Sequence, residues 1–266
     1  MRINNKRAFF LYYIKYIHII DMSSQLSNKV VVFDLDETLG YFLELGVFWE
    51  AMLLYAKPTN ILTQELFNKV LDLYPEFIRP NLFTILKYLK RQKTSGLCRS
   101  VMIYTNNTGP PEWVHFIKNY IHEKMEYNLF DQVIGAFKVN GKIIEICRTT
   151  TEKNKDDFIR CTKLPENIEI CFVDNDYHES MHQHDIYYIN VNTYIHALPP
   201  NTMIDRFISN SISRPYVQNK LEFNRFVTTY MRRYVAIYNL IKSKEEYEID
   251  KIVSKQLMVL LQEFFK

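Results

Sequence analysis

The chain has 266 residues, of which 47% are hydrophobic and 24% charged, and its 33 Lys and Arg against 30 Asp and Glu leave a net charge of +3. That balance excludes a disordered chain, and no block of like charge rises above a solvated face, so electrostatics give nucleic-acid binding no support. The length suits one domain of ordinary core size with an insertion or extension. Cys98, Cys147, Cys161 and Cys171 form no Cys-x-x-Cys pair and no zinc-like spacing, so all are expected as reduced core thiols of a cytosolic-type compartment.

Residues 1–28 precede the first strand. Ala8 to Ile20 is apolar and aromatic but carries Lys15 and His18, and it is shorter than the roughly 20 apolar residues of a membrane span. Arg2, Lys6 and Arg7 ahead of it resemble the basic start of a secretory signal, yet no small-residue cleavage site follows. The preferred reading is that Met22 is the true start. Val30 to Phe33 then reads as a buried strand. It ends in Asp34-Leu35-Asp36-Glu37-Thr38-Leu39-Gly40. Ligands of an open α/β sheet bind beyond the carboxyl ends of its strands. Two acids placed there can divide the work, one attacking and the other moving a proton. The plainer account is a strand entering a polar turn, where Asp and Thr cap the next helix.

Asp34-Leu35-Asp36-Glu37-Thr38-Leu39 resembles the first motif of the haloacid dehalogenase (HAD) superfamily of phosphotransferases. Its wording is nearest to the phosphatases that act on the C-terminal domain of RNA polymerase II. The resemblance implies a Rossmann-like HAD fold, a central parallel sheet flanked by helices, and an aspartyl-phosphate enzyme using Mg²⁺. In that family Asp34 would be nucleophile and metal ligand, and Asp36 acid and base with its main-chain carbonyl on the metal. Thr38 is counted as a substrate-binding candidate.

Residues 41–75 show helical spacing, with Phe48, Met52 and Tyr55 and then Leu62, Leu66, Phe67, Val70 and Leu71, and read as a small helical cap insertion spanning about 41–78. Such a cap would leave the site open to a large substrate. Arg79-Pro80 opens an amphipathic helix carrying Leu82, Ile85, Leu86 and Leu89 on one face, an opening also similar to the polymerase-tail phosphatases. Ser100 to Tyr104 is the second strand, ending in Thr105-Asn106-Asn107. Thr105 matches the second HAD motif, whose hydroxyl bonds the substrate phosphate, and Asn106 is a second substrate-binding candidate. The plainer account makes both turn-capping residues. Pro110-Pro111 opens a helix with Val114, Ile117, Ile121 and Met125 on one face. Phe130 to Ile134 is a third strand, and Ala136 to Ile144 reads as a β-hairpin turned by Asn140-Gly141. The resembling family carries a β insertion in this region that helps form its substrate groove.

Thr149 to Phe158 holds the candidate third motif. A lysine belongs there because a fixed ammonium offsets the negative charges crowded around a phosphate. Lys153 and Lys155 both qualify: Lys153 resembles the generic pattern, Lys155-Asp156 the polymerase-tail family's, and Lys153 is slightly preferred. Ile168 to Val173 is a strand ending in Asp174-Asn175-Asp176. By resemblance Asn175 would be a Mg²⁺ ligand and Asp174 its support or the lysine's partner, and hard oxygens suit that ion. In His178-Glu-Ser-Met-His182-Gln-His184 a polar loop is a simpler account than a zinc site. Ile186 to Val191 is the next strand, and Leu198-Pro199-Pro200 closes the core region.

Two helical stripes follow, Phe223 to Ile241 and Ile249 to Phe264, and are expected to pack on the core. The organisation expected is therefore an N-terminal extension (1–28), a HAD-like phosphatase domain (29–200) and a C-terminal helical extension (201–266). The ordered set Asp34/Asp36, Thr105, Lys153 or Lys155, and Asp174/Asn175 implies a Mg²⁺-dependent phosphatase acting on phosphoserine or phosphothreonine of a protein. A small-molecule or nucleic-acid-end phosphatase and a non-catalytic phosphate-binding module are the alternatives. No membrane signal is expected, and the localisation expected is cytoplasmic. Cys161 to Met181 is also similar to versions encoded by large DNA viruses, for which host cytoplasm or nucleus would follow.

Overall fold

The computed structural model describes residues 27–56, 63–234 and 242–266. The signal-like stretch and the Met22 start fall outside them. Five strands form one parallel sheet: β1 (Lys29–Phe33), β2 (Ser100–Tyr104), β3 (Phe130–Ile134), β6 (Glu169–Asp174) and β7 (Ile186–Asn190), in the order β3-β2-β1-β6-β7. β4 (Lys138–Val139) and β5 (Lys142–Ile143) form the expected hairpin, and Asn140 (φ 49) and Gly141 (φ 79) supply the two positive φ angles its turn needs. Eight α-helices are present among the described residues, namely α1 (Leu43–Tyr55), α2 (Gln64–Leu71), α3 (Leu82–Thr94), α4 (Pro111–Met125), α5 (Lys155–Thr162), α6 (Pro200–Ser209), α7 (Lys220–Tyr234) and α8 (Lys244–Phe264). None is long and apolar enough to cross a membrane.

β1 is central because nearly every residue in it is apolar and both of its faces are covered. Val31 and Phe33 point into a core shared with α1 to α4 and α6 to α8. Val30 and Val32 point the other way, into a smaller core closed by Phe158 of α5. The segment expected as a cap therefore lends its apolar side to the main core. Trp49 and Phe67 stack edge to face at 5.3 Å, and Phe67 meets Trp113 of α4 at 5.4 Å. The C-terminal helices join the same core, with α7 packed on α1 and α6. Their inward stripes are narrower than expected. Phe223, Val227 and Met231 are buried while Phe226 and Tyr234 are exposed, and Val253, Leu257 and Leu261 are buried while Ile249 and Ile252 are exposed. Ile237 and Ile241 lie outside the described residues.

The chain leaves β1 through a tight turn. The Leu39 amide donates to Leu35 O (2.9 Å) and the Glu37 amide to Gly40 O (2.7 Å), with Glu37 at φ 60. Phe77 O then accepts the Tyr41 amide at 2.7 Å, so the backbone at Gly40 presses against residue 77. A Cβ at Gly40 would sit 2.4 Å from Phe77 O, a contact that only a backbone shift relieves. Gly40→Ala should therefore cost about 1–3 kcal/mol of stability, read as a lower urea midpoint with an unchanged slope.

Candidate functional site

The site lies at the carboxyl ends of β1, β2 and β6, where the strand order reverses, as ligand sites of open α/β sheets do. Parallel pairing of β1 with β6 matches Phe33 to Val173, so the next residues, Asp34 and Asp174, emerge side by side. Both are buried, at 6% and 1% exposure. Two buried carboxylates need a cation, and Lys153 supplies it. Its Nζ lies 2.5 Å from Asp34 Oδ1 and 2.7 Å from Asp174 Oδ2, with only 2% of the residue exposed. Asn154 explains the delivery. As the N-cap of α5 it accepts the Asp157 amide at 2.7 Å, which leaves Lys153 on the incoming strand of chain, outside the helix.

Lys155, the other candidate, is not brought to the site. It lies in the first turn of α5 and pairs with Asp185 near the surface. Thr38 needs a second correction as a substrate contact. It is buried, its hydroxyl donates to Asn175 Oδ1 (2.9 Å), and the same oxygen accepts the Asn175 amide (3.1 Å). Its hydrogen bonds are spent on orienting Asn175. Asn106 is exposed at the end of β2, and its Oδ1 accepts from Arg148 Nη1 (2.9 Å). The neighbour Asn107 takes the position at the acids, donating from Nδ2 to Asp36 Oδ2 at 2.7 Å. Asn107 Oδ1 accepts the Gly109 amide (2.9 Å), so the amide group has one orientation and offers Asp36 a donor. Thr105 is buried, and its oxygen accepts the Asn107 amide (3.0 Å), leaving the hydroxyl proton to donate.

Electrostatics separate the acids. Burial, with Asp174 as a like-charged neighbour, pushes Asp34 up to about 7 against the pull of Lys153. Burial also raises Asp36 above the ordinary carboxylate range, with Asn107 and Lys153 opposing it. Asp174 is buried too, but His178 and Lys153 outweigh that burial and hold it low. Both its oxygens are engaged, since Oδ1 accepts the Asp176 amide at 2.9 Å. His178 is buried, with Nε2 3.3 Å from Asp174 Oδ2 and Nδ1 3.0 Å from Glu152 Oε1. His182 instead packs its ring against Tyr177 and Tyr188, so the two histidines share no ligand site.

Two arginines hold the surrounding loops: Arg79, noted in sequence only as the Arg-Pro opening of a helix, and Arg148, which had no signal. Arg79, 1% exposed, donates from Nε to Thr38 O (2.5 Å) and from Nη2 to Glu37 O (2.7 Å) and Asn192 O (2.8 Å). Arg148, 2% exposed, donates from Nη1 to Gly135 O (2.8 Å) and Thr105 O (3.3 Å), and from Nη2 to Thr151 O (3.0 Å). The Arg148 guanidinium also stacks 4.8 Å from the Tyr104 ring. The cysteines divide. Cys98 and Cys171 are buried thiols as expected, whereas Cys147 and Cys161, expected to be reduced, are joined in a disulfide across 14 positions. Sequence spacing could not show this, because the two meet only when α5 folds back beside residue 147.

Comparison with protein-family models, with curated proteins and with solved structures finds no match to this chain.

Removing the ammonium tests that geometry. Lys153→Met should cost about 3–5 kcal/mol near pH 8, because Asp34 and Asp174 would be left buried without a cation. Their folded pKa values would then lie above the unfolded ones, so the loss should shrink as the pH falls toward 5. Lys155→Met should change stability by about 1 kcal/mol or less. Urea melts of both variants at two pH values distinguish the lysines.

Proposed function

We propose that the chain is a HAD-type phosphatase that hydrolyses a phosphate monoester through an aspartyl-phosphate, using Mg²⁺, on phosphoserine or phosphothreonine of a protein. One observation carries the reading. A buried lysine bridges two carboxylates on adjacent parallel strand ends, and a second acid stands two residues beyond the first. A structural ion pair needs one carboxylate per lysine and gains nothing from Asp36, a raised-pKa acid held by an amide donor at the same strand end.

Asp34, with Oδ1 held by Lys153, is the nucleophile of this reading and attacks phosphorus in line with the leaving oxygen. Its attack breaks the P–O ester bond, and Asp36 donates its proton to the departing oxygen. Asp36 then takes a proton from the water that attacks the aspartyl-phosphate, returning both acids to their starting state. Thr105 donates its hydroxyl to a phosphate oxygen, and the Lys153 ammonium offsets the charge that collects there. The donor set is of the oxygen kind that suits Mg²⁺: Asp34 and Asp174 share Lys153, Asp36 stands two residues beyond Asp34, and the Asn175 amide follows Asp174. The Asp34 carboxylate, the Asp36 carbonyl and the Asn175 amide oxygen would hold the ion, with Asp174 supporting Lys153. When bound, the ion spreads the negative charge of the transferred phosphoryl group. The peptide substrate is supported by the resemblance of the first motif and by the hairpin beyond β3, which exposes Ile143, Ile144 and Ile146.

Phosphate release from p-nitrophenyl phosphate, with Mg²⁺ and with EDTA, is the direct test. Turnover should need the metal and fall by about a thousandfold or more in Asp34→Asn. Metal-independent turnover, or turnover retained in that variant, would remove the assignment. Asp36→Asn should lower kcat by about 10²–10⁴-fold with a smaller effect on KM. A further expectation concerns stability. Asp34 has a folded pKa of about 7, above its free value, so its contribution favours the fold at low pH and is lost as pH rises through about 7. Mg²⁺ must displace that proton at low pH. The rise in melting temperature on adding Mg²⁺ should therefore be larger at about pH 8 than at about pH 5.5.

A further inference from the structure

The loop that delivers Lys153 is closed into a ring by Cys147 and Cys161, with Cα atoms 5.0 Å apart. Cys147 immediately precedes Arg148, whose guanidinium ties the ends of β2 and β3 to Thr151 O. Cys161 lies near the end of α5, beside Arg160, whose Nη1 donates to Cys147 O at 3.2 Å. Inside the ring Asp157 gathers the chain. Its carboxylate accepts the Thr149 amide (2.9 Å), the Thr149 hydroxyl (2.9 Å) and Asn154 Nδ2 (3.1 Å). Every contact that places Lys153 from its own loop thus lies between the two sulfurs.

Two features mark these sulfurs as chemically available. Both cysteines are partly exposed, whereas Cys98 and Cys171 are buried at 3% and 0% exposure, so a small reagent meets this pair alone. Glu145 Oε1 also lies 3.1 Å from Cys147 Sγ. In the disulfide that sulfur carries no proton to share, whereas a reduced Cys147 would have an S–H to donate to the same carboxylate. The surroundings therefore accommodate both oxidation states.

We propose that Cys147 and Cys161 are a reversible dithiol–disulfide couple, a redox modification site for a small thiol or disulfide of the glutathione kind, whose oxidised form orders the loop that carries Lys153. Reduction proceeds by exchange. A reagent thiolate attacks one cysteine sulfur, breaking the S–S bond and releasing the other cysteine as a thiolate. A second reagent thiolate attacks the mixed disulfide, releasing the first cysteine and the reagent's own disulfide. The two protons lost by the reagent thiols end on Cys147 and Cys161, and two electrons pass to the protein. Oxidation by the reagent disulfide is the reverse. The effect on turnover rests on the phosphatase reading; the effect on the loop does not.

The test equilibrates the full chain in glutathione buffers of graded ratio, quenches with a maleimide under denaturing conditions and reads the intact mass. The expected result is one two-electron transition that adds or removes two maleimides together, reversed on changing the buffer. Hydrogen exchange of residues 148–155 should be faster in the reduced form, by about tenfold, and equally fast at every buffer ratio in Cys147→Ser/Cys161→Ser. Both readouts are independent of turnover, so they stand or fall apart from the phosphatase reading. The proposal is overturned if the pair stays fully reduced at every ratio or if exchange of the loop is the same in both forms. It is also overturned if the purified chain holds one zinc that the double variant loses, which would make Glu145, Cys147 and Cys161 ligands instead of a couple.

Discussion

A single ammonium shared between two buried carboxylates is what the rest of the structure is arranged to permit. Parallel pairing puts Asp34 and Asp174 on neighbouring strand ends, and two like charges in a poorly hydrated interior repel strongly. Lys153 between them opposes that cost, and with His178 it holds Asp174 low while Asp34 stays raised. Holding a lysine there demands a loop of fixed path. Arg148, Asp157 and Asn154 supply that path by taking up the main-chain groups of residues 149–152. Buried ion pairs contribute more to a unique arrangement than to net stability, and here the arrangement is that of the strand ends.

A second constraint acts on the turn that follows β1. Asp36 stands at the site only because residues 35–40 reverse within one tight loop, with Glu37 in the left-handed region. Arg79 draws the carbonyls of Glu37 and Thr38 toward residue 192, and Gly40 lets the backbone of residue 77 come into contact. Thr38, by bonding Asn175 twice, couples this turn to the loop after β6. The two acids of β1 and the amide beyond β6 are thus one rigid unit, built from groups far apart in the chain.

Much of this was legible in the sequence, and the limits have physical causes. Apolar runs ending in polar residues marked β1, β2 and β6, since a buried parallel strand has no alternation to blur it, while the edge strands β3 and β7 were marked by their place after a helix and between loops. Asn140-Gly141 marked the hairpin for the conformational reason that placed it there. Asp34, Asp36, Thr105 and Asp174 stood at strand ends, where residue type and position agree. Lys153 and Lys155 could not be told apart by composition, because the decision rests on Asn154 being the N-cap. Asn107 went unmarked for the same reason: one step along an irregular turn decides whether an amide faces Asp36 or Arg148. Arg148 and the Cys147–Cys161 pair act across distances that leave no local pattern, and the Arg79-Pro80 and His178–His184 patterns did not show what Arg79 and His178 bond. The wide stripes expected for α7 and α8 reflect a limit of periodicity, which shows that a face is apolar but not how much of it finds cover.

The order of the strands bears on how the chain becomes a sheet in the first place. β1 is made first, yet it lies at the centre, and one of its two partners, β6, is about 140 residues away in the chain. During synthesis, at about 5–20 residues per second, Val30 to Phe33 has no β6 to pair with for several seconds or more after it emerges. A short, uncharged, β-branched run with an open edge is the kind of segment that pairs with the wrong chain. The nucleophile candidate therefore sits at the end of the segment most exposed to misassociation while the protein is being made. High-yield production should depend on a chaperone that shields this strand, whatever the stability of the finished fold.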